Sequence, residues 1–175
     1  MADKGTAQSF EEEGKEAFDR GDYLSAAHRF AEAAQRYSDR SDALMAAEMK
    51  SNQSVAFLRA KQANQALEVI SGVSKIFKVS GDVRREGIAL GNQAAALAAL
   101  KRKQEAISCY KQAAGLLEKA GEDGLRWKTM QQVTLLHASS FKFIDAVLSM
   151  QSGLMGIKNP NWKQRVMKAL LFMRV

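Results

Sequence analysis

The 175-residue sequence contains one proline, one cysteine and two histidines, and each scarcity excludes a class of structure or site. Because Pro160 is the only proline, helices can run uninterrupted over most of the chain. Cys109 has no partner for an internal disulfide, which is typical of proteins in a reducing compartment. A single cysteine and two separated histidines satisfy no metal-ligand spacing, so we expect no metal site.

Long apolar runs are also missing. No run of about 18 apolar residues could cross a bilayer, and the segment that starts at Met1 lacks the apolar stretch of a secretory signal. The one glycine-containing stretch that suggests a phosphate loop, residues 87–91, lacks the lysine and hydroxyl residue that must follow. We therefore expect a cytoplasmic protein without cofactor or enzyme activity.

The chain does contain a repeat of 40 residues. Four alanines recur at this spacing, and the residues around each of them are alike. The positions twelve before and seven after each alanine mostly hold small residues, and the position four after each alanine holds a large apolar residue. The alanines are Ala26, Ala66, Ala106 and Ala146, and the large residues are Phe30, Ile70, Tyr110 and Met150. Small residues let two helices approach and a large one fills the gap between them. The spacing therefore predicts a stack of helical hairpins.

Turn residues divide the repeats into segments of helical composition. We predict helices over residues 6–20, 23–38, 42–60, 63–79, 83–100, 103–120, 124–140 and 143–156, and a ninth after Pro160. The expected helix caps are Asp22, Ser41, Asp82 and Asp123. The predicted organisation is a frayed N-terminus (1–5), four repeats (about 6–40, 41–80, 81–121 and 122–157) and a basic amphipathic capping helix (158–175).

The first repeat resembles the tetratricopeptide repeat (TPR) family through Phe10, Gly14, Ala17, Gly21, Tyr23, Ala26, Phe30 and Ala33. The fourth repeat is degenerate and keeps Thr134, Ala146 and Met150. The 40-residue period departs from the family's usual period of about 34, and armadillo and HEAT arrays are the alternative. The resemblance implies an all-α, right-handed α-solenoid of four TPR-like hairpins plus a C-terminal capping helix. It also implies a protein- or peptide-binding scaffold.

One polar position recurs at the same spacing, at Glu12, Asn52, Asn92 and Gln132. In proteins that resemble this family the position faces the concave groove, where an amide can hydrogen-bond a peptide backbone. Residues three and six positions further share that surface. The predicted peptide-binding residues are Glu12, Lys15, Phe18, Asn52, Val55, Leu58, Arg59, Asn92, Gln132 and Leu135. The alternative is that these amides bond only to neighbouring helices.

Some TPR proteins bind the C-terminal carboxylate of chaperones through a clamp of lysine, asparagine and arginine. Asn52 matches one clamp position, but Glu11 and Lys15 replace the lysine and asparagine of the first repeat. Ile88 and Asn92 replace the basic pair of the third repeat. Because Glu11 would repel a carboxylate, we do not expect this ligand.

Positive charge is concentrated in the second half of the chain. Residues 1–87 hold 13 basic and 14 acidic side chains, whereas residues 88–175 hold 13 basic and 5 acidic ones, and the net charge is +7. This imbalance favours an acidic protein partner or an anionic surface. Nucleic acid is not favoured, because no aromatic stacking platform accompanies the basic residues.

The segment after Pro160 carries an apolar stripe formed by Trp162, Val166, Ala169, Leu170 and Met173. We expect this stripe to cap the last hairpin. Met167 and Leu171 broaden it, so alternative occupants are a second copy of the chain, further C-terminal sequence or, less favoured, a membrane surface. The predicted capping or oligomerisation residues are Trp162, Val166, Met167, Leu170, Leu171 and Met173. The runner-up function is self-assembly through this helix.

Overall fold

The computed structural model describes residues 5–138, 143–155, 157 and 159–172, and these residues form ten α-helices. Helices α1 to α5 span Ala7–Asp19, Tyr23–Asp39, Ala43–Arg59, Ala63–Ile70 and Val73–Val79. Helices α6 to α10 span Val83–Ala99, Lys103–Lys119, Asp123–Ala138, Phe143–Met155 and Trp162–Phe172. Successive helices pack against each other, and α3 and α4 also contact α6. The predicted all-α stack of hairpins is confirmed.

The buried positions follow the repeat seen in the sequence. Ala26, Ala66 and Ala106 are fully buried, and the large residues four positions later in the same repeats are at most 5% exposed. At the contact between α3 and α4, the hydroxyl of Ser54 donates to the carbonyl of Ala66 at 2.9 Å. The small Ser54 therefore allows α3 and α4 to approach closely, and its hydroxyl has a hydrogen-bond partner in the contact.

The structure has a shorter period than the sequence, because its turns recur every 20 residues. Six turns place a residue in the left-handed region: Gly21, Ser41, Lys61, Gly81, Lys101 and Gly121. In each turn the next N–H donates to the carbonyl five residues earlier at 2.8 to 2.9 Å, as from Asp22 to Ala17. This is the Schellman arrangement that satisfies the free carbonyls at a helix end. These six turns therefore reverse the chain in the same way.

Side chains cap the helix that follows at three of these six turns. Asp22, Asp42 and Asp82 each accept a hydrogen bond from the N–H three residues later, and Thr6 does the same for α1. The predicted caps Asp22 and Asp82 are confirmed. Ser41 is not a cap, because it takes the left-handed turn position and Asp42 follows it. Asp123 is the first residue of α8.

The predicted single helix over residues 63–79 is wrong. The chain leaves α4 at Ser71 and starts α5 after Gly72, whose φ of 81° is not compatible with an α-helix. Both short helices remain in the stack, because Ile70, Val73 and Phe77 are buried in one cluster with Ala47 and Ala89. The break therefore lets one segment follow the surfaces of both α3 and α6.

Of the predicted capping residues of α10, Met167 packs against the last hairpin, whereas the predicted stripe does not. Met167 contacts the buried cluster of Trp127, Leu154 and Ile157. A reciprocal cap begins this helix, since the Asn161 and Gln164 side chains each accept from the other's N–H. Trp162, Val166 and Leu170 are 70, 52 and 68% exposed. The expectation that their stripe caps the last hairpin is therefore wrong.

Three predictions fall on residues that the structure does not describe. Met173 lies outside the described residues, as do the side chains of Leu171 and Ala146. Gly5 and Thr6 are described, and Thr6 caps α1, while residues 1–4 lie outside the described residues.

Candidate functional site

The first helices of the four hairpins, α1, α3, α6 and α8, form the surface on which the repeated polar position lies. We call this surface the ladder face. Asn92 of α6 donates from Nδ2 to the hydroxyl of Ser51 on α3, at 2.9 Å. This bond joins two ladder helices directly and uses one of the two N–H groups of the Asn92 amide. The alternative reading, an amide bonded to a neighbouring helix, therefore applies to Asn92.

A first cavity, of about 340 Å³, lies between α1 and α3 on the ladder face. Four of the predicted groove residues line it: Lys15, Phe18, Asn52 and Val55. Asp19 and the ring of Phe30 complete the lining, and no hydrogen bond occupies the Asn52 amide among the described residues. The cavity thus combines an apolar interior with an amide that can pair with a peptide unit.

A second cavity, of about 220 Å³, lies between α6 and α8. The ladder amides Asn92 and Gln132 both line it, so the 40-residue spacing does bring them to one place. The rest of the lining comes from Gly87, Ile88, Gly91, Tyr110, Leu117, Leu125, Lys128 and Thr129. None of these described lining residues is acidic, and Lys128 supplies a positive charge. The lining of the second cavity is therefore positively charged.

Tyr110 contributes a buried ring and hydroxyl to this second cavity. Burial raises the pKa of Tyr110 to about 12, with a smaller contribution from the neighbouring Cys109. The hydroxyl therefore stays protonated at neutral pH, where it can both donate and accept a hydrogen bond. The sequence pattern identified Tyr110 only as a packing residue.

The remaining predicted groove residues do not line either cavity. Glu12, Arg59 and Leu135 are exposed, and Leu58 is half-buried. Conversely, Ile88 and Lys128 were not predicted, although each lies four residues before a ladder amide. That spacing places each of them on the same helix face as its amide. Including the position four residues before each ladder residue would therefore have predicted both.

The positive charge of Lys15 at the first cavity is offset by Glu11. The Lys15 ammonium is paired with the Glu11 carboxylate one turn earlier, and the Tyr37 hydroxyl donates to the same carboxylate at 2.9 Å. Burial and this hydrogen bond raise the pKa of Tyr37 to about 12. Glu11 therefore connects α1 to α2 and leaves the first cavity with little net positive charge.

A further cavity, of about 330 Å³, lies between α7, α8 and α9 beside the buried Arg126. The Arg126 guanidinium donates to the carbonyls of Ser152 and Gly153 at 2.7 and 3.0 Å, and lies 3.7 Å from the Glu118 carboxylate. These contacts join α8 to the last turn of α9. The arginine thus stabilises the hairpin through the end of α9, and it also lines the cavity.

The described residues contain no cluster of three or more histidine, cysteine or acidic side chains that could hold a metal ion. Every helix in the described part of the chain is too short or too polar to span a bilayer. His137, predicted as a packing residue, is buried on α8, with its Nδ1 3.9 Å from Asp145.

Two solved structures share this arrangement of helices. BtubC (BKLC) from P. vanneervenii matches with a TM-score of 0.76 and 14% identity, over 94% of this chain and 71% of that one. The nearly identical TPR-like repeats of a candidate kinesin light chain from Podosopora anserina match with a TM-score of 0.75 and 14% identity, over 98% of this chain and 88% of that one. The chain has a TPR-like fold. No family model and no curated protein matches the sequence. At this level of identity the likeness shows the TPR-like fold alone.

Proposed function

We propose that this TPR-like chain is a protein-interaction scaffold that binds an extended peptide segment on the ladder face. The observation that supports this proposal is the position of three ladder amides beside two cavities of the same face: Asn52 in the first, Asn92 and Gln132 in the second. Ligand sites are usually cavities with a mostly apolar lining and a few polar groups that orient the ligand.

The first cavity suits a large apolar side chain of the peptide. Phe18, Phe30 and Val55 would surround that side chain, and removing its apolar area from water would supply most of the affinity. The Asn52 amide lies at the same cavity and would pair with the peptide backbone, which carries the same groups in every residue. This division of roles favours a peptide over a small charged ligand.

The second cavity suits a polar or acidic side chain. Lys128 provides positive charge, and the Gln132 amide and the protonated Tyr110 hydroxyl provide hydrogen-bond donors. The proposed ligand is therefore a segment with an apolar anchor and an acidic residue further along.

The proposal is tested by selecting ligands for the purified chain from a display library of random linear peptides. Selected peptides should bind at least about tenfold more weakly to a variant with Asn52→Ala and Gln132→Ala, because one backbone-pairing group and one donor to the acidic side chain are lost. Asn92 is kept, since its amide supports α3. The matched control carries Gln65→Ala and Gln104→Ala, which remove two exposed amides from α4 and α7.

Equal binding to both double variants would contradict the proposal, as would a selection that yields no ligand. Circular dichroism on both variants separates a lost contact from a lost fold. Absence of catalysis and a cytoplasmic location stay predictions from the sequence. Self-assembly through α10 stays the second candidate, favoured by the exposed Trp162, Val166 and Leu170.

A further inference from the structure

Helices α8 and α10 both pack against α9. The face of α8 that contacts α9 has a counterpart on α10, and that counterpart is exposed. Counted from the first helical residue, the fourth, fifth and eighth residues of α8 are Arg126, Trp127 and Met130. Arg126 donates to carbonyls of α9, and a Cβ added at Gly153 of α9 would touch Trp127 and Met130. These positions therefore define the face of α8 that holds α9.

The same three positions in α10 are Arg165, Val166 and Ala169. All three are exposed, as are Trp162 and Leu170, which lie on the same side of the helix. Across the helix, Met167 packs against the cluster that contains Leu154. Helix α10 therefore packs onto the last hairpin with one side and exposes the side that corresponds to the α9-binding face of α8.

Charge restricts what can cover this face. Lys163 and Arg165 flank the apolar stripe on either side, and the Lys163 ammonium lies 5.6 Å from the centre of the Trp162 ring. The sequence contains no acidic residue after Asp145. Two copies paired through α10 would bring these cations together with no carboxylate from this segment to offset them, which is unfavourable.

We propose that the exposed face of α10 binds an amphipathic helix of another protein, with an apolar stripe flanked by acidic residues. That helix would occupy the place that α9 occupies on α8. Its apolar side chains would cover Trp162, Val166 and Leu170, and its carboxylates would pair with Lys163 and Arg165. This interface is separate from the ladder face and does not depend on the function proposed above.

The test uses two synthetic helices of about 18 residues, long enough for helix formation in water. Both carry leucines along one face; the first has glutamates beside the leucines and the second has lysines. Titration of the full chain with the glutamate helix should move the tryptophan emission to shorter wavelength, because the Trp162 ring leaves water while Trp127 is already buried. Binding should weaken as salt is added, since the flanking pairs are screened.

Leu170→Glu should weaken binding of the glutamate helix by about tenfold or more. Val79→Glu, at an exposed residue of α5, is the matched control and should bind as the wild type does. The variant with Asn52→Ala and Gln132→Ala should also bind normally, so that failure of this proposal and failure of the ladder-face proposal can be told apart.

Three results would overturn the proposal. The first is equal binding of the lysine and glutamate helices, or binding of neither. The second is a dimer in light scattering that Leu170→Glu dissociates, which would assign the face to a second copy. The third is Leu170-dependent binding to phosphatidylserine vesicles without binding of the glutamate helix, which would assign it to an anionic lipid surface.

Discussion

Gly14 of α1 lies so close to Phe30 of α2 that a Cβ at position 14 would come within 2.8 Å of two atoms of the Phe30 ring. The ring fills the space that the missing side chain leaves, and both residues are buried. This contact sets the separation of the first two helices, and the ring also forms part of the first cavity of the ladder face. Packing and the proposed ligand site are therefore coupled at this pair.

Gly14→Ala should lower the free energy of unfolding by about 1–3 kcal/mol, because the ring or the helix must move. Gly115→Ala is the control: its position lies inside α7 and faces open space, so alanine should stabilise the chain by about 0.5–1 kcal/mol. Urea unfolding followed by circular dichroism measures both. Equal effects of the two substitutions would show that the contact with Phe30 is not close in solution.

Lys61→Gly should stabilise the chain by about 1 kcal/mol, because Lys61 has a φ of 61° that a side chain disfavours. Lys111→Gly, at an exposed site within α7, should instead destabilise by about 1 kcal/mol through the lower helix propensity of glycine. Thermal unfolding of the two variants should shift the midpoint in opposite directions. A lower unfolding midpoint for both variants would argue against the left-handed turn at Lys61.

Arg126→Ala should destabilise the chain by about 2 kcal/mol, because it leaves the carbonyls of Ser152 and Gly153 without a donor in a buried place. Arg126→Lys should recover only part of this loss, since one ammonium cannot reproduce the two-armed contact. Arg84→Ala removes an exposed pair with Glu122 and should change stability by less than about 1 kcal/mol. Comparable urea midpoints for Arg126→Ala and Arg84→Ala would contradict this role.

Stability should fall as pH rises from about 10 to about 12, and Tyr110 should account for part of the fall. Burial raises the pKa of Tyr110 from 10.0 to about 12, so the unfolded chain loses this proton first. The protonated ring therefore contributes stability below about pH 10, and up to about 2–3 kcal/mol is lost as pH rises through that interval. The difference in urea midpoint between wild type and Tyr110→Phe should shrink or reverse over the same range. A difference that is constant with pH would be inconsistent with the raised pKa.

Cys109 should react slowly with a thiol reagent at neutral pH. Burial raises the pKa of its thiol to about 11, and its Sγ donates to the carbonyl of Leu90 at 3.2 Å. The control is the chain with Ser108→Cys and Cys109→Ser, which places the only thiol at an exposed position of α7. The control should react about 100-fold faster, and urea should remove the difference. Equal reaction rates of the two thiols in the folded chains would contradict the prediction.

The sequence repeat predicted the hairpin stack because packing acts through local patterns. Ala26, Ala66 and Ala106 are buried where α-helices approach, and residues of the right size at helical spacing are enough to indicate that contact. The break at Gly72 was not predicted, because Val69, Ile70, Val73 and Phe77 also fit one continuous helical stripe. Contacts of α4 and α5 with α6 favour two short helices over one.

The candidate site was predictable in part. The 40-residue spacing identified Asn52, Asn92 and Gln132, because equivalent residues of a repeat lie on one surface. It did not show that Asn92 is bonded to Ser51, or that Tyr110 reaches the second cavity from α7. Both facts depend on distances between side chains of different helices, which the spacing within one helix does not give.

By itself, the sequence determined the class of fold, the helical hairpins and the position of the ladder residues, since periodicity and residue size are properties of the chain alone. The tertiary structure decided which side of α10 faces outward. Its stripe of Trp162, Val166 and Leu170 and its opposite side with Met167 are both apolar, so the pattern fitted either orientation. The packing of Met167 against the cluster that contains Leu154 accounts for the orientation that is observed.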